Sequence, residues 1–169
     1  MSLMAMVLAM LVGPPAAAAQ ELTLLGSFDN VRSSSSEEPH CYGYSMTLWA
    51  DGSGLLGLFD VHEGLCGDPP CATLQNISFE RRTGRLSFSA TIGSKLEFSG
   101  TLRRDDVIGR LNGKRIRLAR RRDHPHTPTS LVEWCAFWRS VPRCAGVADF
   151  CTARGLQSGT APRARVAGR

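Results

Sequence analysis

The sequence predicts a mainly β protein: an antiparallel meander of about eight strands that closes into a barrel, followed by a C-terminal helical segment. Between Leu22 and Arg120, short segments alternate apolar and polar residues, and each ends at a turn with Gly, Asp or Pro. The turns are short, so segments adjacent in sequence are expected to be adjacent in space. After Arg120 the alternation stops, and apolar residues recur with the spacing of an amphipathic helix.

A closed barrel is favoured because closure removes the two exposed edges that an open sheet has to protect. An open two-layer β-sandwich is the alternative that the pattern allows. A small barrel either fills its interior with its own side chains or holds one small ligand. The residues expected to share this interior, and to line a ligand site there, are Tyr42, Tyr44, Met46, Phe59, Phe88 and Phe98.

The first three strands are expected at 22–31, 42–50 and 55–62, with a polar loop at 33–39 and a tight hairpin turn at 51–54. The third segment is apolar on both faces, because Leu56 and Leu58 alternate with Leu55, Phe59 and Val61. We therefore expect another part of the chain to cover the outer side of this strand.

The later strands follow a loop at 63–71. Within 85–92 the alternation is strict, with Leu86, Phe88, Ala90 and Ile92 on one face and small polar residues on the other. The pair Asn112-Gly113 is a strong signal for a two-residue hairpin turn. The predicted strands are 72–80, 85–92, 96–102, 107–111 and 115–120.

A helix is predicted from Leu131 onwards. Ser130 and Glu133 have the spacing of a capping box. Leu131, Trp134, Cys135 and Trp138 fall on one helical face, which is the natural cover for the doubly apolar strand. Pro142 ends this helix, and a second, short helix is expected at 144–153. The chain is thus divided into a signal peptide at 1–20, a barrel at 21–120, a helical segment packed on the barrel at 121–155 and a disordered tail at 156–169.

Residues 1–20 are interpreted as a cleaved signal peptide. They contain no charge, and an apolar run from Met4 to Val12 precedes small residues at 17–19 that suit cleavage. The run is too short to span a bilayer as a helix. The mature chain is therefore expected to be secreted or periplasmic, without a membrane span, and we expect it to be a monomer.

All six cysteines lie beyond the signal peptide, and an even number in an exported chain favours disulfides. A helix at 144–153 would hold its two cysteines about 10 Å apart, too far for a disulfide. The loop at 66–71 is short enough for Cys66 and Cys71 to bond to each other. A helical hairpin centred near Arg143 would place Cys135 opposite Cys151, and Cys144 would then reach Cys41. The predicted pairs are Cys66–Cys71, Cys135–Cys151 and Cys41–Cys144. If 144–153 is irregular, Cys144–Cys151 with Cys41–Cys135 is the better set.

Charge is distributed unevenly along the chain, whose formal net charge is +5. Residues 1–80 contain one base and nine acids, whereas residues 81–169 contain 19 bases and six acids. A basic half can bind polyanions, but aromatic residues are not interleaved with these bases. Nucleic acid is therefore not expected as a partner, and pairing with the acidic half is favoured. Arg outnumbers Lys 18 to 2, a usage typical of GC-rich bacterial genes.

No signature of an enzyme, metal or cofactor site stands out. The sequence has no G-x-S-x-G, S-x-x-K or P-loop motif. The run Asp123-His124-Pro125-His126 lacks the spacing of helical histidine ligands and is interpreted as a solvated linker. The other sharp local feature is the loop of Gly67, Asp68, Pro69 and Pro70, which suits partner binding because a clamped bend loses little entropy on binding.

The layout resembles the calycin group, which includes lipocalins and avidins: an export signal, an eight-stranded meander and then a helix. The likeness covers residues 22–141 as architecture only. Gly26-Ser27-Phe28 stands where lipocalins have Gly-x-Trp, and Trp49 is the only tryptophan in a predicted strand. The resemblance therefore implies a ligand-holding barrel but transfers no binding residue to this chain.

These observations together predict a secreted, non-catalytic binding protein for a small hydrophobic ligand. The alternative is a secreted inhibitor or interaction module that uses the Cys66–Cys71 loop. An enzyme of unknown class is the third possibility. A cavity of several hundred Å³ inside the barrel would support the first, whereas a filled interior would favour surface recognition.

Overall fold

The computed structural model of the chain describes residues 20–35, 37–122 and 127–156. In these ranges it contains eleven strands, all in one sheet, and two helices. The elements are β1 (Thr23–Asp29), β2 (Arg32–Ser33), β3 (His40–Asp51), β4 (Gly54–Leu65), β5 (Cys71–Thr73), β6 (Gln75–Glu80), β7 (Arg85–Ile92), β8 (Ser94–Leu102), β9 (Asp106–Leu111), β10 (Lys114–Arg120), α1 (Leu131–Arg139), β11 (Cys144–Ala145) and α2 (Val147–Ala153).

The mainly β fold is confirmed, and a strand lies in each of the eight predicted segments. The predicted strand at 72–80 is divided at Leu74 into β5 and β6. Two strands of two residues each, β2 and β11, were not predicted, because two residues are too few to produce an alternation.

The sheet is open rather than closed by a continuous ladder. Its order is β11-β5-β4-β3-β1-β10-β9-β8-β7-β6, with β2 added beside β3. β5 pairs with β4, whereas β6 pairs with β7, so the break at Leu74 lies where a barrel would have closed. Leu74 donates its N–H to the carbonyl of Gly57 at 2.9 Å, and β6 lies beside β4. In the described residues no ladder joins β4 to β6.

One face of the sheet, which we call the inner face, carries a chain of aromatic rings that forms the inner core. The hairpin registers place Met46 opposite Phe59 and Phe88 opposite Phe98. Ring centroids are 5.7 Å apart for Tyr44 and Phe59, 5.6 Å for Phe59 and Phe88, and 4.9 Å for Phe88 and Phe98. These rings form one hydrophobic core together with buried leucines from other strands.

Two glycines let the backbone of neighbouring strands approach the Phe98 ring. Gly100 of β8 pairs with Gly109 of β9. A Cβ atom added to either glycine would lie 2.6 Å from Phe98 Cζ and would also press against the backbone across the ladder. Only glycine fits at these two positions.

The opposite, outer face of β3 and β4 forms a second core under the helices. Trp49, Leu56 and Leu58 are buried there against Leu131 and Trp134 of α1. The Trp49 and Trp134 rings meet edge to face, 5.9 Å apart. The expected cover over the doubly apolar strand is therefore present.

The predicted cap of α1 is also present. Ser130 is the N-cap, and its hydroxyl accepts a hydrogen bond from the Glu133 N–H at 3.2 Å. The Glu133 carboxylate reaches back to the N–H of Thr129 at 2.8 Å, one residue before the position that a capping box uses. Leu22 donates its N–H to the Thr129 carbonyl, which ties the start of the helix to the residues before β1.

Three disulfides are present, and two of the predicted pairs are wrong. Cys135–Cys151 joins α1 to α2 as expected, with Cα atoms 5.9 Å apart. The others are Cys41–Cys66 and Cys71–Cys144, not Cys66–Cys71 and Cys41–Cys144. In the β3–β4 hairpin Cys41 lies opposite Gly64, which brings Cys66 close to it. Cys144 lies in β11, which pairs in parallel with β5 and sets Cys144 directly beside Cys71.

The predicted signal peptide (except residue 20), the predicted linker run at 123–126 and the predicted tail beyond residue 156 lie outside the described residues. Among the residues described, no helix has the length and apolar character needed to cross a membrane.

Candidate functional site

A polar pocket of about 300 Å³ lies on the outer face of the sheet, beside the helical cover. We call it the outer-face pocket. Strands β1, β3 and β4 form its floor, and the 66–70 loop and the end of α1 form its rim. It is lined by Ser27, Phe28, Ser45, Met46, Thr47, Asp60, Gly67, Pro69, Arg121, Trp138 and Arg143.

The pocket arises because the outer face of β4 changes character along the strand. Leu56 and Leu58 point into the helix-covered core, and Asp60 and His62 continue the same face by the two-residue period of a strand. The ladder to β3 pairs Asp60 with Ser45. Apolar residues therefore meet the helices at one end of this face, and polar residues floor the pocket at the other end.

Ser45 joins two titratable groups on the pocket floor. Its hydroxyl donates a hydrogen bond to Asp60 Oδ2 at 2.7 Å, and its Oγ lies 3.1 Å from His62 Nε2. With the hydroxyl proton directed at Asp60, the histidine contact is satisfied by an Nε2–H that donates to Ser45 Oγ. The nearby Ser27 and Thr47 hydroxyls bond to each other at 2.9 Å.

Burial changes the pKa of both titratable groups. It raises the pKa of Asp60 to about 6, although the Ser45 hydrogen bond and the charge of Arg143 oppose the increase. Burial also lowers the pKa of His62, and the charges of Arg121 and Arg143 add to this effect while that of Asp29 opposes it. At neutral pH the floor therefore holds an ionised carboxylate and a neutral imidazole.

Two arginines at the rim are already engaged by carboxylates. Arg143 Nη1 lies 2.8 Å from Asp68 Oδ1, and Arg121 Nε lies 3.3 Å from Asp29 Oδ2. Arg143 Nη1 also donates to the Pro69 carbonyl at 3.4 Å. Arg143 thus fixes the loop over the pocket, while Arg121 belongs to the segment that follows β10.

The 66–70 loop is fixed at both ends by disulfides to other parts of the chain, rather than by a disulfide between Cys66 and Cys71. Cys66 is bound to Cys41 and Cys71 to Cys144, so two separate disulfides fix it. The Pro70 carbonyl accepts a hydrogen bond from the N–H of Val61 at 3.1 Å. The loop is therefore a rigid rim of the pocket.

The order of contacts differs from that of a catalytic triad. In a triad the histidine lies between serine and carboxylate, so that it takes the serine proton and the carboxylate orients it. Here Ser45 lies between Asp60 and His62, and its proton is directed at the carboxylate. This arrangement provides a fixed donor and acceptor array. Among the described residues no cluster of His, Cys, Asp or Glu is suited to hold a metal ion.

The predicted ligand residues occupy two different places. Tyr44, Met46, Phe59, Phe88 and Phe98 belong to the inner core. Tyr42 does not: it is 54% exposed at the end of β3, where its hydroxyl lies 3.3 Å from His40 Nδ1. Tyr42 alternates with Tyr44 and Met46 along β3, as the sequence pattern indicated, but the start of β3 extends beyond the inner core. The ligand-binding role of this set stays a prediction.

The predicted partner loop borders the pocket. Gly67 and Pro69 line it, and Asp68 holds Arg143 while its own side chain is 88% exposed. Exposed apolar residues lie nearby on the β3–β4 hairpin, where Tyr42 and Leu65 flank the Cys41–Cys66 disulfide. Partner binding by this loop stays a prediction.

A larger groove of about 480 Å³ runs over the outer face of β7, β8 and β9. Its floor is formed mainly by serines, and its rim includes Lys95 and Glu97. These two charges pair with each other at 2.6 Å and are both well exposed. These charges therefore neutralise each other at the surface, in contrast to the largely buried Asp60 of the outer-face pocket.

Neither Asp60 nor His62 was predicted as a site residue from the sequence. A signal was available: Asp60 and His62 lie two and four residues after Leu58, on the face that the helix was expected to cover. The hairpin turn at 51–54 fixes the β3–β4 register. This register places Ser45 opposite Asp60 on the same face.

Comparison with known proteins found no detectable match: no protein-family model, no curated protein and no solved structure aligns with this chain.

Proposed function

We propose that the mature chain is a non-catalytic binding protein of an extracytoplasmic compartment and that its ligand occupies the outer-face pocket. The proposal depends on the surroundings of Asp60. This carboxylate lines the pocket, and among the described residues a single serine, Ser45, is its hydrogen-bond partner. Burying a charge is unfavourable for folding, so such a group is typical of functional sites. Three disulfides support an oxidising location for the folded chain.

The interior of the sheet is a weaker candidate for the ligand. Its aromatic residues stack ring on ring from Tyr44 to Phe98, and each ring occupies the space that a small hydrophobic ligand would need. This packing supports a structural role for the inner core and moves the proposed ligand to the outer face.

Native mass spectrometry of the mature protein purified from its own host tests this function. We expect a small molecule bound at one per chain and lost when Asp60→Asn is introduced. NMR titration with the released molecule should shift the amides of Ser45 and Thr47 before those of Phe88. A host-purified protein without a small molecule, or shifts confined to the inner core, would contradict the proposal.

An inhibitor or interaction module is the second candidate. It is favoured by the exposed side chains of Tyr42 and Leu65, 54% and 68% accessible, beside a loop fixed by two disulfides. A partner protein should then co-purify in a one-to-one complex from the host and be lost in Leu65→Ser. Asp60→Asn serves as its control, because this variant leaves the hairpin surface intact.

A further inference from the structure

The charges around the outer-face pocket do not balance. Among the described residues, three carboxylates, Asp29, Asp60 and Asp68, face two guanidinium groups, Arg121 and Arg143. Asp29 pairs with Arg121, and Asp68 pairs with Arg143. Because His62 is neutral at physiological pH, one negative charge remains, and it resides on Asp60.

The hydrogen bonds of Asp60 also indicate that its carboxylate is incompletely compensated. Its Oδ2 atom accepts from Ser45 at 2.7 Å. Its Oδ1 atom has no hydrogen-bond partner within the described parts of the chain. A carboxylate has acceptor capacity for about four hydrogen bonds, so Asp60 retains most of it on the side of the cavity.

We infer, on the basis of the proposed function, that the ligand of this pocket is a small organic cation whose protonated amine binds Asp60. An anionic ligand would bring a second negative charge beside a largely buried carboxylate, and a neutral ligand would leave that carboxylate uncompensated. An ammonium group supplies both the charge and the N–H donors that Asp60 lacks.

Trp138 and the cavity volume define the rest of the ligand. The Trp138 side chain lines the same pocket, and an indole attracts cations and packs against apolar carbon chains. Liquid water occupies about 30 Å³ per molecule, so about 300 Å³ accommodates a ligand of roughly ten non-hydrogen atoms. A monoamine with a short apolar or aromatic body fits these limits.

The binding should depend on the ionisation of Asp60. The charged and titratable groups that face it are Arg143 and Asp68 at the rim, Arg121 and Asp29 beside β1, and His62 on β4. Asp60 has a pKa of about 6 and takes up a proton as the pH falls from 7.5 to 5.0. Protonation of His62 in acid would add a positive charge beside the site, which weakens amine binding in the same direction. Amine affinity is expected to fall about tenfold between pH 7.5 and pH 5.0.

Three probes of matched size test the inference: phenethylamine, 2-phenylethanol and phenylacetate. Dissociation constants are measured by NMR titration of the disulfide-intact mature chain at pH 7.5. We expect phenethylamine to bind at least about tenfold more tightly than the alcohol, and phenylacetate to bind most weakly. Asp60→Asn should reduce amine affinity to that of the alcohol.

Asp149→Asn is the matched control, because it removes one negative charge from an exposed position on α2 outside the pocket. It should leave amine binding unchanged. Equal affinity for the three probes, or amine binding that survives Asp60→Asn, overturns the cation inference. If the alcohol or phenylacetate binds the pocket better, the ligand class is wrong but the proposed pocket remains. If none of the probes shifts the Ser45 and Thr47 amides and the host-purified chain carries no small molecule, both proposals fail.

Discussion

Replacing Asp60 with asparagine is expected to stabilise the folded protein at neutral pH. The asparagine side chain keeps the shape of the aspartate and still accepts the Ser45 hydrogen bond, but it carries no charge to bury. Most polar-site substitutions destabilise a protein, so a gain in stability is a specific consequence of the charge at this position.

The magnitude follows from the pKa of Asp60. The ordinary pKa is 3.8, and burial raises it to about 6 in the folded chain. A pKa difference of one between folded and unfolded states corresponds to about 1.4 kcal/mol, so ionised Asp60 destabilises the fold by about 3 kcal/mol before solvent is considered. Water in the pocket screens part of this charge, which leaves about 2 kcal/mol and an increase in Tm of roughly 4–8 °C for Asp60→Asn.

The gain should disappear in acid. Above about pH 7 Asp60 is ionised in both states, and the full penalty is present. Between pH 6 and pH 4 the folded chain binds a proton that the unfolded chain lacks, so the wild-type protein becomes more stable relative to the variant as pH falls. Below about pH 4 both states are protonated, and the two proteins should have equal stability.

Urea unfolding at pH 7.5, 6.0, 5.0 and 3.5, with the disulfides intact, measures this difference directly. Asp149→Asn serves as the control, because its carboxylate is exposed and its substitution should change the unfolding free energy by less than about 0.5 kcal/mol at every pH. If Asp60→Asn is less stable than wild type at pH 7.5, or if its effect does not change with pH, the assigned burial of the charge is wrong.

Three further predictions concern the scaffold. Peptide mapping of the non-reduced protein should recover the crosslinks Cys41–Cys66, Cys71–Cys144 and Cys135–Cys151, and a Cys66–Cys71 peptide would contradict the fold around β5. Gly100→Ala should lower the unfolding free energy by about 2 kcal/mol because its Cβ meets Phe98 Cζ, whereas Gly52→Ala, with open space around it, should change it by less than about 0.5 kcal/mol. Arg154→Met should destabilise the protein by about 1–2 kcal/mol, because it leaves the buried Asp51 carboxylate with only its hydrogen bonds from Ser53 and Gly54. Equal stability by calorimetry would refute this role.

The strands were predictable because their information is local. A two-residue period sorts side chains between two faces, and short turns join neighbouring strands, so alternation at 85–92 was enough to place Phe88 inside. The start of α1 was equally local, because Ser130 and Glu133 lie within one helical turn. These elements depend only on residues a few positions apart.

The disulfides and the open edge were not predictable for the opposite reason. Cys144 lies beside Cys71 because β11 pairs in parallel with β5, although the two cysteines are 73 residues apart in sequence. The two residues of β11 are too few to show an alternation in the sequence. The prediction of a local Cys66–Cys71 pair also excluded the observed pairing, because it left Cys144 without Cys71 as a partner. The break at Leu74 was missed for another reason. Segment 72–80 was predicted as one strand although its apolar residues change phase between Leu74 and Ile77, and β5 and β6 have different partners there.

The uneven distribution of charge along the chain explains why Asp60 stands out. Three acids from the first 80 residues pair with arginines from beyond residue 120, and these ion pairs join the sheet and its loop to the C-terminal part of the chain. The pairs are Asp29–Arg121, Asp51–Arg154 and Asp68–Arg143. Three of the arginines beyond residue 120 therefore help to hold the fold together. Burial alone would raise the pKa of Asp51, yet Ser53 and Arg154 lower it below its ordinary value of 3.8. Within the described parts of the chain no arginine bonds Asp60 in this way, and its pKa moves in the other direction. The difference between these two carboxylates is the reason to expect that a ligand, rather than the chain itself, neutralises Asp60.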